Sequence, residues 1–145
     1  MKDSVCLNNH LSFDQCTALN VDDQNVLKAV LSSESSIKSG GDDPQILMII
    51  KFNQNVNITH IQINSGNNKE MIPSNVKLFT GRSDLDFDDV QDMKPTENFD
   101  LLKNIGKPMK VNIPRFKNVN TITVRIYLFN IFFLRCFFII MMLQK

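Results

Sequence analysis

Asp84, Asp86, Asp88 and Asp89 place carboxylates at nearly every second position of one short stretch, the pattern with which a calcium-binding loop begins. Such a loop also needs glycine at its sixth position and glutamate at its twelfth. Asp89 and Pro95 stand there instead, so calcium is not expected. Cys6, His10 and Cys16 are the right residue types for zinc. Their spacing forms no known ligand pair and a fourth ligand is missing, so Cys6 reads as a small apolar side chain. His60 has no serine, cysteine or acid nearby with which to build a proton relay, and it reads as a strand residue. Gly40-Gly41 lacks the Lys-Ser/Thr that completes a phosphate loop, and no Cys-x-x-Cys occurs. No nucleophile, base and stabiliser can be placed together, so the expected catalytic, cofactor-binding and metal residues are none.

The carboxylates still mean something as charge. From Asp84 to Asp100 the chain holds seven acids and one base, a net charge of −6. In an extended segment Leu85 and Phe87 would turn inward and leave the aspartates in water. Asp84, Asp86, Asp88, Asp89 and Asp92 are therefore the candidate contact surface for a basic partner. The 145 residues carry +1 overall, but residues 1–100 hold all 15 acids against 8 bases, and residues 101–145 hold 8 bases and no acid. Lys103, Lys107, Lys110, Arg115 and Lys117 make a basic stretch. Without interleaved exposed aromatics it reads as a solvated face, and no nucleic acid is expected.

The elements that would carry these residues read as short strands. Ile46–Phe52 is a compact apolar run bounded by Pro44 and Asn53, expected as a strand buried on both faces. Val56–Ile63 is a second strand whose apolar phase slips near His60, which predicts a bulge. Val76–Thr80, Met109–Ile113 and Ile122–Ile126 follow, the last two with period-2 alternation. Ser32–Ser39 and the Asn-, Gly- and Pro-rich residues 64–75 read as loops. Short strands without helical periodicity imply an all-β sandwich or barrel. Three irregularly spaced cysteines and no signal-peptide pattern imply a reducing compartment, so the sequon at Asn57 is expected to stay unmodified.

Ile126–Leu143 is apolar throughout apart from Asn130 and Arg135. About 18 such residues suffice to cross a bilayer. An arginine near the middle costs roughly 2.5–3.5 kcal/mol on insertion scales, which weighs against a membrane anchor.

Several segments taken in order carry a resemblance. They are Cys6-Leu7-Asn8, Asp42-Asp43-Pro44-Gln45-Ile46-Leu47, Phe52-Asn53-Gln54-Asn55-Val56, Val76-Lys77-Leu78-Phe79, Leu85-Asp86-Phe87-Asp88-Asp89, Lys94-Pro95-Thr96 and Arg115 to Thr123. Together they resemble the PITH domain, the proteasome-interacting module of thioredoxin-like and stand-alone PITH proteins, over residues 6–126. The resemblance implies a galactose-binding-like jelly-roll β-sandwich, a cytosolic or nuclear location, association with the proteasome regulatory particle and no catalysis by the domain itself. The redox motif of thioredoxin-fused members is not in this chain. Residues 127–145 depart from the family pattern and read as an atypical hydrophobic tail, as translated intron sequence would. The sandwich is accordingly expected to lack its last strand and to expose an unpaired edge. Two alternative functions stay open: a glycan- or small-molecule-binding sandwich, and a tail-anchored membrane protein.

Overall fold

The computed structural model describes residues 4–6, 10–21, 37–38, 45–64, 74–104, 106–127, 135–136 and 138–144. Three antiparallel sheets form. The larger has five strands in the order β2 (Thr17–Leu19), β4 (Gln45–Val56), β9 (Val119–Tyr127), β6 (Asn75–Thr80) and β7 (Glu97–Asp100). Facing it is a four-stranded sheet of β1 (Ser4–Cys6), β11 (Phe138–Gln144), β5 (Ile58–Asn64) and β8 (Met109–Lys110). β3 (Ile37–Lys38) pairs only with β10 (Arg135–Cys136), so part of the expected serine-rich loop is strand. The one α-helix among the described residues is α1 (Phe87–Asp92). The glycine pair 40–41 and most of the 64–75 loop lie outside the described residues.

The core follows from strand periodicity. Ile46, Met48 and Ile50 of β4, Val76 and Leu78 of β6, and Ile122, Val124 and Ile126 of β9 project from one sheet. Ile58, Ile61 and Ile63 of β5 and Met109 of β8 meet them from the other. Each such side chain taken from water contributes roughly 1.5–3 kcal/mol. β4 is buried on both faces, as its unbroken apolar run predicts: Leu47 belongs to a second cluster on the outer side. The break at Asn57 separates β4 from β5 and passes the chain between sheets. There the Asn57 side chain accepts a 2.8 Å hydrogen bond from the Asn118 backbone, whose φ is +57°.

The predicted bulge is present. β11 pairs Met142 with His60 and Leu143 with Ile58, so Thr59 is the extra residue of β5. An extra residue reverses the side-chain phase, which is why Ile58 and Ile61 both face the core.

The expectation that the last strand is missing is corrected. β11 runs between β1 and β5, with Ile139 opposite Ile63, Met141 opposite Ile61, and Ser4–Cys6 opposite Gln144–Met142. A ladder requires backbone donors and acceptors, and residues 128–145 contain neither proline nor glycine. A family-like side-chain order is not needed for that pairing. The 18-residue apolar run is thereby divided: Ile126 and Tyr127 end β9, and residues 138–143 sit in β11. Among the described residues no helix is long and apolar enough to cross a membrane.

Candidate partner-contact surface

The acidic segment begins where β6 ends. Gly81, at φ +93°, makes the turn that a side chain would strain, and its N–H reaches Thr121 O at 3.4 Å. Thr123 of β9 donates to Arg82 O at 3.3 Å, fixing the start of the loop over the outer face of the five-stranded sheet. Leu85 and Val90 then pack onto Leu47 and Phe79, with Leu19, Phe87 and Met93 around them. Six residues are too few for a helix to persist alone in water. Packing and capping hold α1 in place.

The extended reading of this segment therefore holds only up to Asp86. Asp86 is the N-cap of α1, and Asp89 completes a capping box with it. Asp86-x-x-Asp89 ahead of Val90 has capping-box spacing, the signal that sequence reasoning passed over.

The five candidate aspartates are brought together but not equivalent. Asp84 pairs with Arg82 through Nε–Oδ1 at 2.9 Å and Nη2–Oδ2 at 3.0 Å. That hydrogen bonding holds the Asp84 carboxyl below its usual range and raises the Arg82 guanidinium. Asp86 and Asp89 direct a carboxylate oxygen at each other's backbone. Asp88 and Asp92 are exposed and four residues apart, so they lie on one helix face. Among the described residues, neither belongs to the capping box or to the Arg82 ion pair.

Other residues singled out by type have ordinary surroundings. Cys16 is buried, and its sulfur faces the Lys51 N–H at 3.3 Å and the Lys51 carbonyl at 3.6 Å; burial pushes the thiol up. The side chain of Cys6 lies outside the described residues. Among the described residues no three metal-binding side chains cluster. His60 Nδ1 lies 2.9 Å from Thr59 Oγ1, opposite Lys110 in register, and desolvation followed by the Lys110 charge lowers its pKa. Lys103, Lys107, Lys110, Arg115 and Lys117 are all exposed.

Two features bear on ligand binding. An open depression of about 410 Å³ is lined by Leu11, Ser12, Phe13, Asp14 and Gln15, but Phe13 packs against the core. The single tyrosine, Tyr127, has Lys77 Nζ at 5.7 Å and Arg125 Cζ at 5.4 Å from its ring centroid. Arg125 also donates to Gln45 Oε1 at 3.1 Å. The ring is engaged by the chain's own cations.

The PITH domain model matches residues 1–128. The chain belongs to the PITH family. Its match ends just after β9, so β11 of this PITH domain lies beyond the family's matched span. No curated protein matches the chain. Among solved structures, CBM32-3 from a family 31 glycoside hydrolase of Clostridium perfringens is similar at a TM-score of 0.58 and 12% identity, covering 94% of this chain and 95% of that one. CpGH89CBM32-5 from Clostridium perfringens, in complex with GalNAc-β-1,3-galactose, gives 0.59 at 8% identity, covering 94% and 99%. The C-terminal domain of a Bacteroides fragilis chitobiase gives 0.53 at 12% identity, covering 96% and 92%. At such identities the likeness shows the galactose-binding-like β-sandwich fold alone.

Proposed function

We propose that this PITH domain is a non-catalytic docking module that associates with the proteasome regulatory particle, in the cytosol or nucleus. Membership of the PITH family is the observation that carries the reading. The contact surface we assign is the acidic turn and α1, with Asp88 and Asp92 meeting basic residues of the partner. The rigid seating of α1 on Leu47 and Phe79 supports that assignment, because a fixed surface loses little conformational entropy on binding. Exposed ion pairs contribute only about 0.2–1 kcal/mol each, so the acidic face supplies orientation and encounter rate more than strength.

The test is affinity capture of isolated regulatory particles by the tagged full chain at physiological salt. Recovery of particle subunits is expected, and recovery reduced by Asp88→Lys with Asp92→Lys assigns the face. Failure to recover any subunit would count against the docking reading. A saccharide-binding reading draws on the shared fold only, and the engaged Tyr127 ring gives it no platform.

A further inference from the structure

The outer face of the five-stranded sheet carries two cations that the acidic surface does not use. Strand alternation sends Val76, Leu78, Val124 and Ile126 into the core, so Lys77 and Arg125 project from the opposite face. They stand directly opposite each other across β6 and β9. Like charges so paired repel and weaken a sheet. Among the described residues the one ion pair is Arg82 with Asp84, so neither cation has a carboxylate in range. Asp100, opposite Asn75 on β7, accepts the Leu102 N–H at 2.9 Å with its carboxylate. The two cations instead share Tyr127, on which both lie within the roughly 6 Å reach of a cation–π contact. Gln45 Oε1 accepts the Arg125 Nε–H at 3.1 Å, which orients the guanidinium and leaves its Nη groups for a ligand. Lys77, Arg125 and Tyr127 are all half-buried, so they are held by packing and still reachable. A second observation comes from Asn75, opposite Tyr127 in register. Its Nδ2 donates to Asn98 Oδ1 at 2.7 Å and to Phe99 O at 3.1 Å, while its Oδ1 is buried with no hydrogen-bond partner. Folded proteins seldom leave such an oxygen unpaired.

We propose that Lys77 and Arg125 form a binding site for a phosphate monoester. Two facing cations match the charge of such a group, about −1.5 to −2 at pH 7, whereas a carboxylate would neutralise only one of them. The guanidinium offers a donor fork to two phosphate oxygens, and the lysine adds a point charge beside it. The bound anion also screens the two cations from each other, so occupancy stabilises the pairing of β6 with β9. A peptide N–H next to a phosphorylated side chain supplies the donor that the Asn75 oxygen lacks, which makes a phosphorylated peptide segment the expected carrier. The site uses none of the aspartates assigned to docking. It does not rest on the proteasome reading and is measured without the particle.

Tyr127 is the chain's one tyrosine and the chain has no tryptophan, so intrinsic fluorescence reports directly on this site. The experiment titrates the full chain with inorganic phosphate, with a short phosphoserine peptide and with the same peptide unphosphorylated, against chloride at equal ionic strength. Tyr127 emission and the NMR resonance of the Arg125 Nε–H are followed together. Saturable change in both is expected with phosphate and with the phosphopeptide, the latter binding more tightly, and none with the unphosphorylated peptide. Equal affinity for the two would assign the site to free phosphate. Lys77→Gln should weaken binding at least about tenfold, the loss of one charge-assisted contact, while Lys77→Arg keeps the charge and should retain it. Failure of both probes to saturate, a response that chloride reproduces, or affinity indifferent to Lys77→Gln in a folded chain would overturn the proposal.

Discussion

Asp86 and Asp89 cap each other. The Asp86 carboxylate accepts the Asp89 N–H at 2.9 Å, and the Asp89 carboxylate accepts the Asp86 N–H at 3.1 Å. This reciprocal pair turns part of an acidic stretch into architecture, and it separates aspartates that hold α1 from aspartates that are available to a partner. Asp86→Ala should cost about 1 kcal/mol of stability in chemical denaturation, the usual effect of removing an N-cap. Asp88→Asn and Asp92→Asn should change stability by no more than about 0.5 kcal/mol. Equal losses from all of these substitutions would contradict the division.

Leu47 joins α1 to the sheet. It is fully buried on the outer face of β4, against Phe79, Leu85 and Val90. Leu47→Ala should cost about 2–5 kcal/mol, and amide exchange across Phe87–Asp92 should accelerate more than exchange in β5. Protection in α1 that survived the substitution would show that the helix does not depend on this packing.

How much of this was legible beforehand depended on whether the signal was local. The apolar run of β4, the phase slip at His60 and the alternation of β9 are written in side-chain order, and each became a strand or a bulge. β2 and β7 were not anticipated, because three or four residues at a sheet edge carry too little periodicity to stand out. The five candidate aspartates were found by composition. Their division was not, since it depends on Arg82 reaching back to Asp84 and on α1 existing at all. β11 was misjudged because a uniformly apolar run gives no phase, while pairing with β1 and β5 is a long-range backbone matter.

β11 makes its own prediction. Met142 stands in register with Cys6 on one side and His60 on the other. Proline there removes an N–H from a residue flanked by strands on both sides. Met142→Pro should lower the thermal midpoint by roughly 10 °C, the response of a domain this size to losing about 2–3 kcal/mol. A midpoint unchanged by the substitution would mean that the sandwich is complete without the strand.

His60 sets a pH dependence. Its folded pKa lies below the ordinary value of about 6.5, because partial burial and then Lys110 disfavour the imidazolium. Between the two pKa values the unfolded chain binds the extra proton, so stability is full above the unfolded pKa and falls as the pH drops below it. The thermal midpoint should decline on going from pH 7.5 to 5.5, and Lys110→Gln should flatten that decline by relieving the repulsion. A midpoint that rose on acidification over this window would reverse the assigned sign.

The docking claim is tested most directly by a binding isotherm of the fluorescently labelled full chain against purified proteasome regulatory particle. Saturable binding is predicted, weaker as salt rises and at least about tenfold weaker for the Asp88→Lys, Asp92→Lys chain. The absence of saturable binding by a folded wild-type chain would contradict the account.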